Sequence, residues 1–436
     1  MRMKNNRIQE KSLFLCFLLL YAFMMVKTSF HFIGAIFKNH CYSWWEISDW
    51  FINFQGGFVR RGITGEVMYQ VYQWFPYSPK IMIVCCSLIS FIFFFARIWQ
   101  VCKRTHVTPL PILLVITSSY IAITWYRRDF LILFIVSYVF DLFIGYLNDK
   151  KKWKLICAQL LMCLTLLIHE GSFFFMIPIL IAIDWFSENN TWFSWKKIKH
   201  SFVLFALPLS VLSILFLNKG GDRVAEAIWE SWTPAFERYP ESESLPFMGN
   251  SVIFLKYTLK EVFGSHLSLN FEYKSGFFTI MKHAMVLSIS LITLFYLFLS
   301  NVRIDIRKKR IISEHSDTQF PNILLVQLLF MGPMFTVLSC DYARTFLYAV
   351  ASTYFVFYSL KMNNICVHCP KGLHNYSKTI QTIIGKYKIF ASPWTYYIAL
   401  LWFPLAPWHY TSIPSNCYAV KACRFIMRLL LGKEIL

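Results

Sequence analysis

Charge is what this sequence has least of. Only 15% of its 436 residues are Asp, Glu, Lys or Arg, and just 23 are acidic; an ordinary soluble domain carries about 25% charged residues. With 57% hydrophobic residues gathered into long runs, the composition excludes a water-soluble globular domain and points to a polytopic membrane protein. Other absences narrow the field. No repeat of fixed period is visible and no paired broken helices, which argues against repeat-built transporters. The histidines are not spaced for haem. His169-Glu170 lacks the second histidine of a zinc-protease helix, because position 173 is Phe. The twelve cysteines fall mainly inside apolar runs, where a thiol acts as a small apolar group, so no disulfide framework follows. Cys366 and Cys369 with His368 and His374 make half of a zinc site, but there is no second Cys pair, and neither a metal nor another cofactor is expected.

What is present in quantity is apolar sequence. Windows near 12–37, 81–101, 108–126, 130–147, 155–168, 172–186, 201–217, 277–300, 322–339, 345–360 and 390–409 are candidate spans. They predict an all-α fold: one integral membrane domain, 1–436, built as a transmembrane bundle of about eleven helices, ten to twelve by the usual uncertainty of such boundaries. Lys27 inside the first window, with no small-residue cleavage site after it, favours a retained helix over a removed signal. The formal charge of +20 might be expected of a nucleic-acid partner, but its placement argues otherwise. Basic residues occupy alternate connections: Arg2 to Lys11, Lys103 and Arg104, Lys150 to Lys154, Lys196 to Lys199, Arg303 to Arg310, and Lys361 to Lys388. That alternation follows the positive-inside rule and puts the N-terminus in the cytoplasm. An eleven-span count leaves the basic stretch 411–436 outside, unless it adds a twelfth span or a surface helix.

The opposite face then holds 38–80, Tyr126 to Asp129, His169 to Gly171, the long loop 218–276, and Cys340 to Arg344. Ionisable groups at span ends are costly unless they face protein or water, so each is a functional candidate. Arg127 and Arg128 with Asp129 are either interfacial anchors or a grip for a diphosphate, since guanidinium forks pair bidentately with phosphate oxygens. His169 and Glu170 are either an acid/base unit or a clasp between two helices. Asp341 and Arg344, three apart, can pair on one helical face.

The stretch FINFQGGFVRRGITGE, 51–66, sets Arg60 and Arg61 among four glycines. Gly56 and Gly57 permit backbone angles closed to other residues, so the two arginines project from a defined turn. They suit an anionic head group, a lipid phosphate or pyrophosphate, or else they anchor to lipid headgroups. Just before them WWEISDW places Glu46 and Asp49 three apart among Trp44, Trp45 and Trp50, on an interfacial helix. A carboxylate there can accept a proton from an attacking sugar hydroxyl, or the segment is an amphipathic anchor.

With GGFVRRG, RRD, HEG and DYAR on outer segments, a large late outer loop and a cytoplasmic N-terminus, the sequence resembles bacterial O-antigen polymerases of the Wzy type. More broadly it resembles GT-C envelope glycosyltransferases, whose first outer loop carries a catalytic acid. RYPESESLPFMG, Arg238 to Gly249, is similar to the arginine, ten residues, glycine motif of the polymerases. The resemblance implies a bacterial inner-membrane enzyme that joins lipid-linked oligosaccharide repeat units on the periplasmic face, with undecaprenyl pyrophosphate leaving. Its partners would be that lipid-linked substrate, membrane lipids and a chain-length regulator. Arg60, Arg61, Arg127, Arg128, Arg238 and Arg344 are then the expected substrate holders. Glu46, Asp49, Asp129, His169, Glu170 and Asp341 are the expected bases or hydroxyl-positioning groups, with 38–80 the first periplasmic loop and 218–276 the large one. A single-sugar GT-C transferase would use the same residues. A flippase of the lipid-linked unit would need ionisable residues through the membrane depth.

Overall fold

The computed structural model describes residues 42–105, 126–188, 194–218, 220–240, 247–257, 303–305, 310–312, 319–336 and 342–385, with a few isolated positions besides. Among these the chain is helical apart from one short antiparallel hairpin, in which Arg303–Asp305 pairs with Arg310–Ile312. The helices are α1 Trp45–Ser48, followed by a 3-10 turn Asp49–Phe51, then α2 Gly62–Trp74, α3 Pro79–Thr105, α4 Asp129–Asp149, α5 Lys152–Ile168 and α6 Ser172–Glu188. There follow α7 Trp195–Leu204, α8 Ala206–Leu217, α9 Asp222–Ser231, α10 Thr233–Arg238, α11 Asn250–Ile253, α12 Gln319–Phe330, α13 Gly332–Thr336, α14 Tyr342–Met362 and α15 Lys371–Gly385.

Two of these, Pro79–Val101 and Asp129–Asp149, are long and apolar enough to cross a membrane; α7 and α8 count as a third if taken together as one span bent by 71°. The bend falls at Phe205, three residues before Pro208, whose ring crowds the carbonyl one turn back and whose missing N–H opens the ladder. Seven of the expected apolar windows coincide with helices. The windows 12–37, 108–126, 277–300 and 390–409 lie outside the described residues, as does the stretch 411–436.

α4 is the hub. It packs against α3, α5, α6 and α14 and buries Leu133, Val136, Val139, Phe140, Phe143 and Ile144. Side chains surrounded this way read as continuous apolar sequence with no polar face, which is why its periodicity is weak. Phe94 of α3 meets Phe130 and Phe355, and Phe175 of α6 stacks on Tyr348 of α14 at 4.5 Å.

The described parts of 38–80 and 218–276, expected as two outer loops, fold onto one another as a cap over one end of these helices. Phe51 is ringed by Trp232 at 5.0 Å, Phe236 at 5.5 Å and Trp229 at 5.9 Å. Polar ties cross the same seam: Trp232 Nε1 donates to the Phe51 carbonyl (2.9 Å), Asn53 Nδ2 to Ser231 Oγ (2.9 Å), and Ser251 Oγ to the Trp45 carbonyl (2.6 Å). Trp50 Nε1 then donates to the Tyr126 carbonyl (2.9 Å), joining the cap to the start of α4. Trp232→Ala removes a fully buried ring and the partner of a buried carbonyl, at a cost of about 3–5 kcal/mol. Amide exchange in 42–59 and 222–238 should rise together in that variant; a rise confined to 222–238 would show that the two segments are not one unit.

Candidate functional site

Four helices among those described begin at one place beneath the cap. Arg61 precedes α2, Arg128 precedes α4, whose first residue is Asp129, Glu170 and Gly171 precede α6, and Arg344 is in the first turn of α14. Each helix start carries unpaired N–H groups and a positive dipole end, so the place is electropositive before any side chain is counted. Local sequence explains the sharp entries. Gly57 has φ 111°, open to glycine, and Arg61 itself adopts the left-handed conformation, φ 64°, an uncommon state for a residue with a side chain.

The side chains form two linked groups. In the first, Arg128 grips Asp49 in a two-point contact, with Nε at 2.9 Å, and also donates to the Arg61 carbonyl (2.9 Å) and Thr64 Oγ1 (2.6 Å). Arg61 clasps Glu170 through Nε (2.9 and 3.0 Å) and its terminal amine (2.7 Å), while Arg60 reaches the same carboxylate at 3.5 Å. In the second, the fully buried Asp129 accepts from Arg344 Nε (2.6 Å) and from the Tyr348 hydroxyl, with Arg127 Nε at 3.4 Å. Arg61 feels the charge of Asp129, and His169 feels both Arg61 and Arg344, so the groups share one field.

Five arginines (60, 61, 127, 128, 344) against three carboxylates (49, 129, 170) leave two positive charges in excess among the described residues. Of the eight buried side-chain polar atoms that make no hydrogen bond among the described residues, five belong here: Asp49 Oδ1, Arg60 Nε, Arg128 Nη2, Asp129 Oδ2 and Ser172 Oγ. The Arg128 and Asp49 atoms face each other as an ion pair, and Asp129 Oδ2 faces Arg127. Arg60 Nε and Ser172 Oγ have no hydrogen-bond partner among the described residues, although the Arg60 side chain is only 9% exposed.

Protonation follows from this field. Burial acts to raise the Asp49 carboxyl, but Arg128 and Arg61 outweigh it and hold it at about 2. Burial likewise opposes ionisation of Glu170, and Arg61 and Arg60 overcome it, keeping the carboxyl well below its ordinary range. Burial also works against the charge on Arg61, yet Glu170 raises it on balance, whereas for Arg60 burial prevails and lowers it. For His169 burial and the nearby Arg61 and Arg344 act together to push the imidazole well below its ordinary value. Its Nδ1 accepts from the Gly171 N–H at 3.0 Å, so the neutral ring carries its proton on Nε2 and offers a donor. His169 and Glu170, expected as a candidate acid/base unit, therefore sit as a neutral donor beside an arginine-bound carboxylate.

The remaining expected residues separate. Glu46 is half-buried on α1, one turn before Asp49. Arg238 is exposed at the end of α10, where its charge bears on Tyr72, ten residues down α2 from the site. Asp341 lies outside the described residues, so the expected pairing with Arg344 does too; within them Arg344 meets Asp129. Of the expected half zinc site, Cys366 Sγ accepts from Gln319 (2.8 Å) and His374 meets Asn322 (3.2 Å).

Sequence reasoning missed Thr64, Ser172 and Tyr348. Only Tyr348 had a signal, four residues after Arg344 on the same helical face. It also missed Arg97 and Asp141, an ion pair of a buried arginine with a partly exposed carboxylate, inside two of the apolar windows. Arg97 donates to Ser137 (3.2 Å) and Gln100 (2.6 Å) and lies between the rings of Tyr138 and Tyr358, each 5.0 Å away, while Ser359 donates to Asp141. Comparison with known proteins adds nothing to this geometry: the chain matches no known family model, no curated protein and no solved structure.

A group whose folded pKa is depressed contributes stability above its unfolded value and loses it as pH falls toward the folded one. For His169 that window opens below the unfolded value of about 6.5. Thermal unfolding of the purified protein should therefore lose more stability between pH 7 and pH 5 than His169→Gln, which keeps an acceptor for Gly171. Equal losses would mean that the ring protonates normally in the folded protein.

Proposed function

We propose that the protein is a membrane glycosyltransferase that holds the pyrophosphate of a lipid-linked saccharide at the Arg60 cluster. The observation that carries this reading is Arg60, a nearly buried guanidinium with an unanswered Nε, at a place where arginines outnumber carboxylates and four helices begin. A site built this way favours a compact, multiply charged anion. Arg61 and Arg128, expected as direct holders, have their forks engaged by Glu170 and Asp49, and in this reading they brace the turn that presents Arg60. His169 adds an N–H donor, and Arg127 and Arg344 contribute charge from the Asp129 side.

The chemistry such a site favours is departure of the pyrophosphate. An acceptor hydroxyl oxygen forms a bond to the anomeric carbon as the bond from that carbon to the phosphate oxygen breaks. The cationic cluster stabilises the charge that collects on the leaving group. The hydroxyl proton passes to a carboxylate or to water. Asp49 and Glu170 are weakened as bases by their arginines, so leaving-group stabilisation is the main contribution. The finer reading is a polymerase of the O-antigen type in a bacterial inner membrane, a bundle of about eleven spans with a cytoplasmic N-terminus and the cap on the periplasmic side. The basic connections support that orientation. The single-sugar GT-C reading uses the same site.

A flippase is the second reading, and the Arg97–Asp141 pair favours it, since it sets charge inside two candidate spans. That pair is closed on itself, however: both carboxylate oxygens are taken and the guanidinium is enclosed by Ser137, Gln100 and two tyrosine rings. It serves better as a brace between α3, α4 and α14 than as a path.

In the native host, deletion should leave lipid A core with at most one repeat unit and no ladder. Arg60→Ala should reproduce that phenotype at normal membrane levels. Arg60→Lys, a point charge in place of a fork, should cut chain growth at least tenfold, about 1.4 kcal/mol. A normal ladder in Arg60→Ala would refute the proposed role of this residue, and loss of even the single repeat on deletion would favour the earlier transferase or the flippase.

A further inference from the structure

The helix that starts at the site has two unlike faces. α2 turns Gly62, Gly65, Met68 and Tyr72 inward. A Cβ on Gly65 would stand 2.8 Å from the Trp50 carbonyl oxygen, so the helix backbone rests directly on the 50–52 backbone of the cap. The outer face exposes Val67, Val71 and Trp74, the last 73% exposed, spaced four and three apart along one side of the helix. Phe75 and Tyr77, in the link that follows, are exposed as well.

That outer face carries no charge. The one acidic or basic side chain of α2 is Glu66, and it is turned to the adjoining turn, accepting from the Phe54 N–H (2.9 Å) and from the side chains of Gln55 and Gln70. Only Gln70 and Gln73 accompany the apolar residues outside. An apolar surface of this kind needs an occupant. At 13 residues the helix is roughly 20 Å long at 1.5 Å per residue, too short to cross a hydrocarbon layer of about 30 Å. Its chain continues through Pro76–Ser78 into α3, which is long and apolar enough to span and exposes Ile81, Leu88, Ile89, Ile92 and Phe93. The apolar face of α2 thus runs on in sequence into the lipid-facing surface of a candidate span. Trp74 and Tyr77 fall at the junction, where such rings favour the membrane boundary.

We propose that α2 is an interfacial helix embedded in the bilayer through Val67, Val71, Trp74, Phe75 and Tyr77. The anion site at its N-terminus then opens at the depth of lipid phosphates and takes its phosphate from a lipid, with the lipid chain lying beside Val67 and Val71. This rests on the reading of the Arg60 cluster as a pyrophosphate holder.

The test uses the full chain in lipid nanodiscs and two probes, undecaprenyl pyrophosphate in the disc and inorganic pyrophosphate in solution. The double variant Val71→Glu, Trp74→Glu changes only exposed positions. It should bind the lipid probe at least tenfold more weakly and inorganic pyrophosphate as the wild type does, whereas Arg60→Ala should weaken both. Unchanged binding of both probes by the double variant would overturn the membrane assignment and leave the anion site standing; a shift in particle mass with it would assign the face to a second copy. Equal loss of both probes would mean that the face serves folding and not lipid access. If the wild type binds neither probe, the pyrophosphate reading falls and this inference with it.

Discussion

Burying arginine is the constraint on which the rest of this structure depends. A guanidinium taken out of water must find acceptors or a counterion, and here five gather around three carboxylates at the starts of four helices, whose dipoles repel further positive charge. The arrangement survives because two of the three carboxylates serve more than one partner: Glu170 answers Arg61 and Arg60, and Asp129 answers Arg344, Tyr348 and Arg127. What this sharing leaves over falls on Arg60. An additional anion would relieve the site, which is the physical basis of the proposed pyrophosphate binding.

The cap and the bundle are arranged around that cost. Asp49 belongs to the cap and Arg128 to the start of α4, so their ion pair ties the two layers together at the point where charge is most concentrated. Trp50, beside Asp49 in sequence, makes the second tie through the Tyr126 carbonyl. Gly65 lets α2 lie against the 50–52 backbone, which fixes the turn that carries Arg60 and Arg61. Loosening the aromatic seam around Phe51 and Trp232 would therefore be felt at the arginines without any contact between them.

Much of this was legible in the sequence, and the reasons differ by element. α3 and α4 announce themselves as long apolar runs with sharp ends. The site residues could be found because ionisable side chains at the ends of apolar runs are few, and Arg60, Arg61, Arg127, Arg128, Asp49, Asp129, His169, Glu170 and Arg344 do meet. What could not be read was who pairs with whom. Asp129 lies next to Arg128 in sequence but meets Arg344, because a helix start throws successive side chains in different directions. The closeness of 42–59 to 222–240 and 247–255 depends on ring packing between distant segments, for which neither stretch has a local signal. Arg97 and Asp141 were hidden for the opposite reason, each a lone charge in a run whose average stays apolar.

The central claim is that Arg60 holds a phosphate. A high-resolution cryo-electron microscopy map of the full chain in nanodiscs containing a polyprenyl pyrophosphate tests it directly. The account predicts phosphate density within hydrogen-bonding distance of the Arg60 guanidinium, roughly 2.7–3.2 Å, with Arg61 still clasping Glu170 and Arg128 still holding Asp49. Density elsewhere on the protein, with Arg60 facing only Glu170, would contradict it.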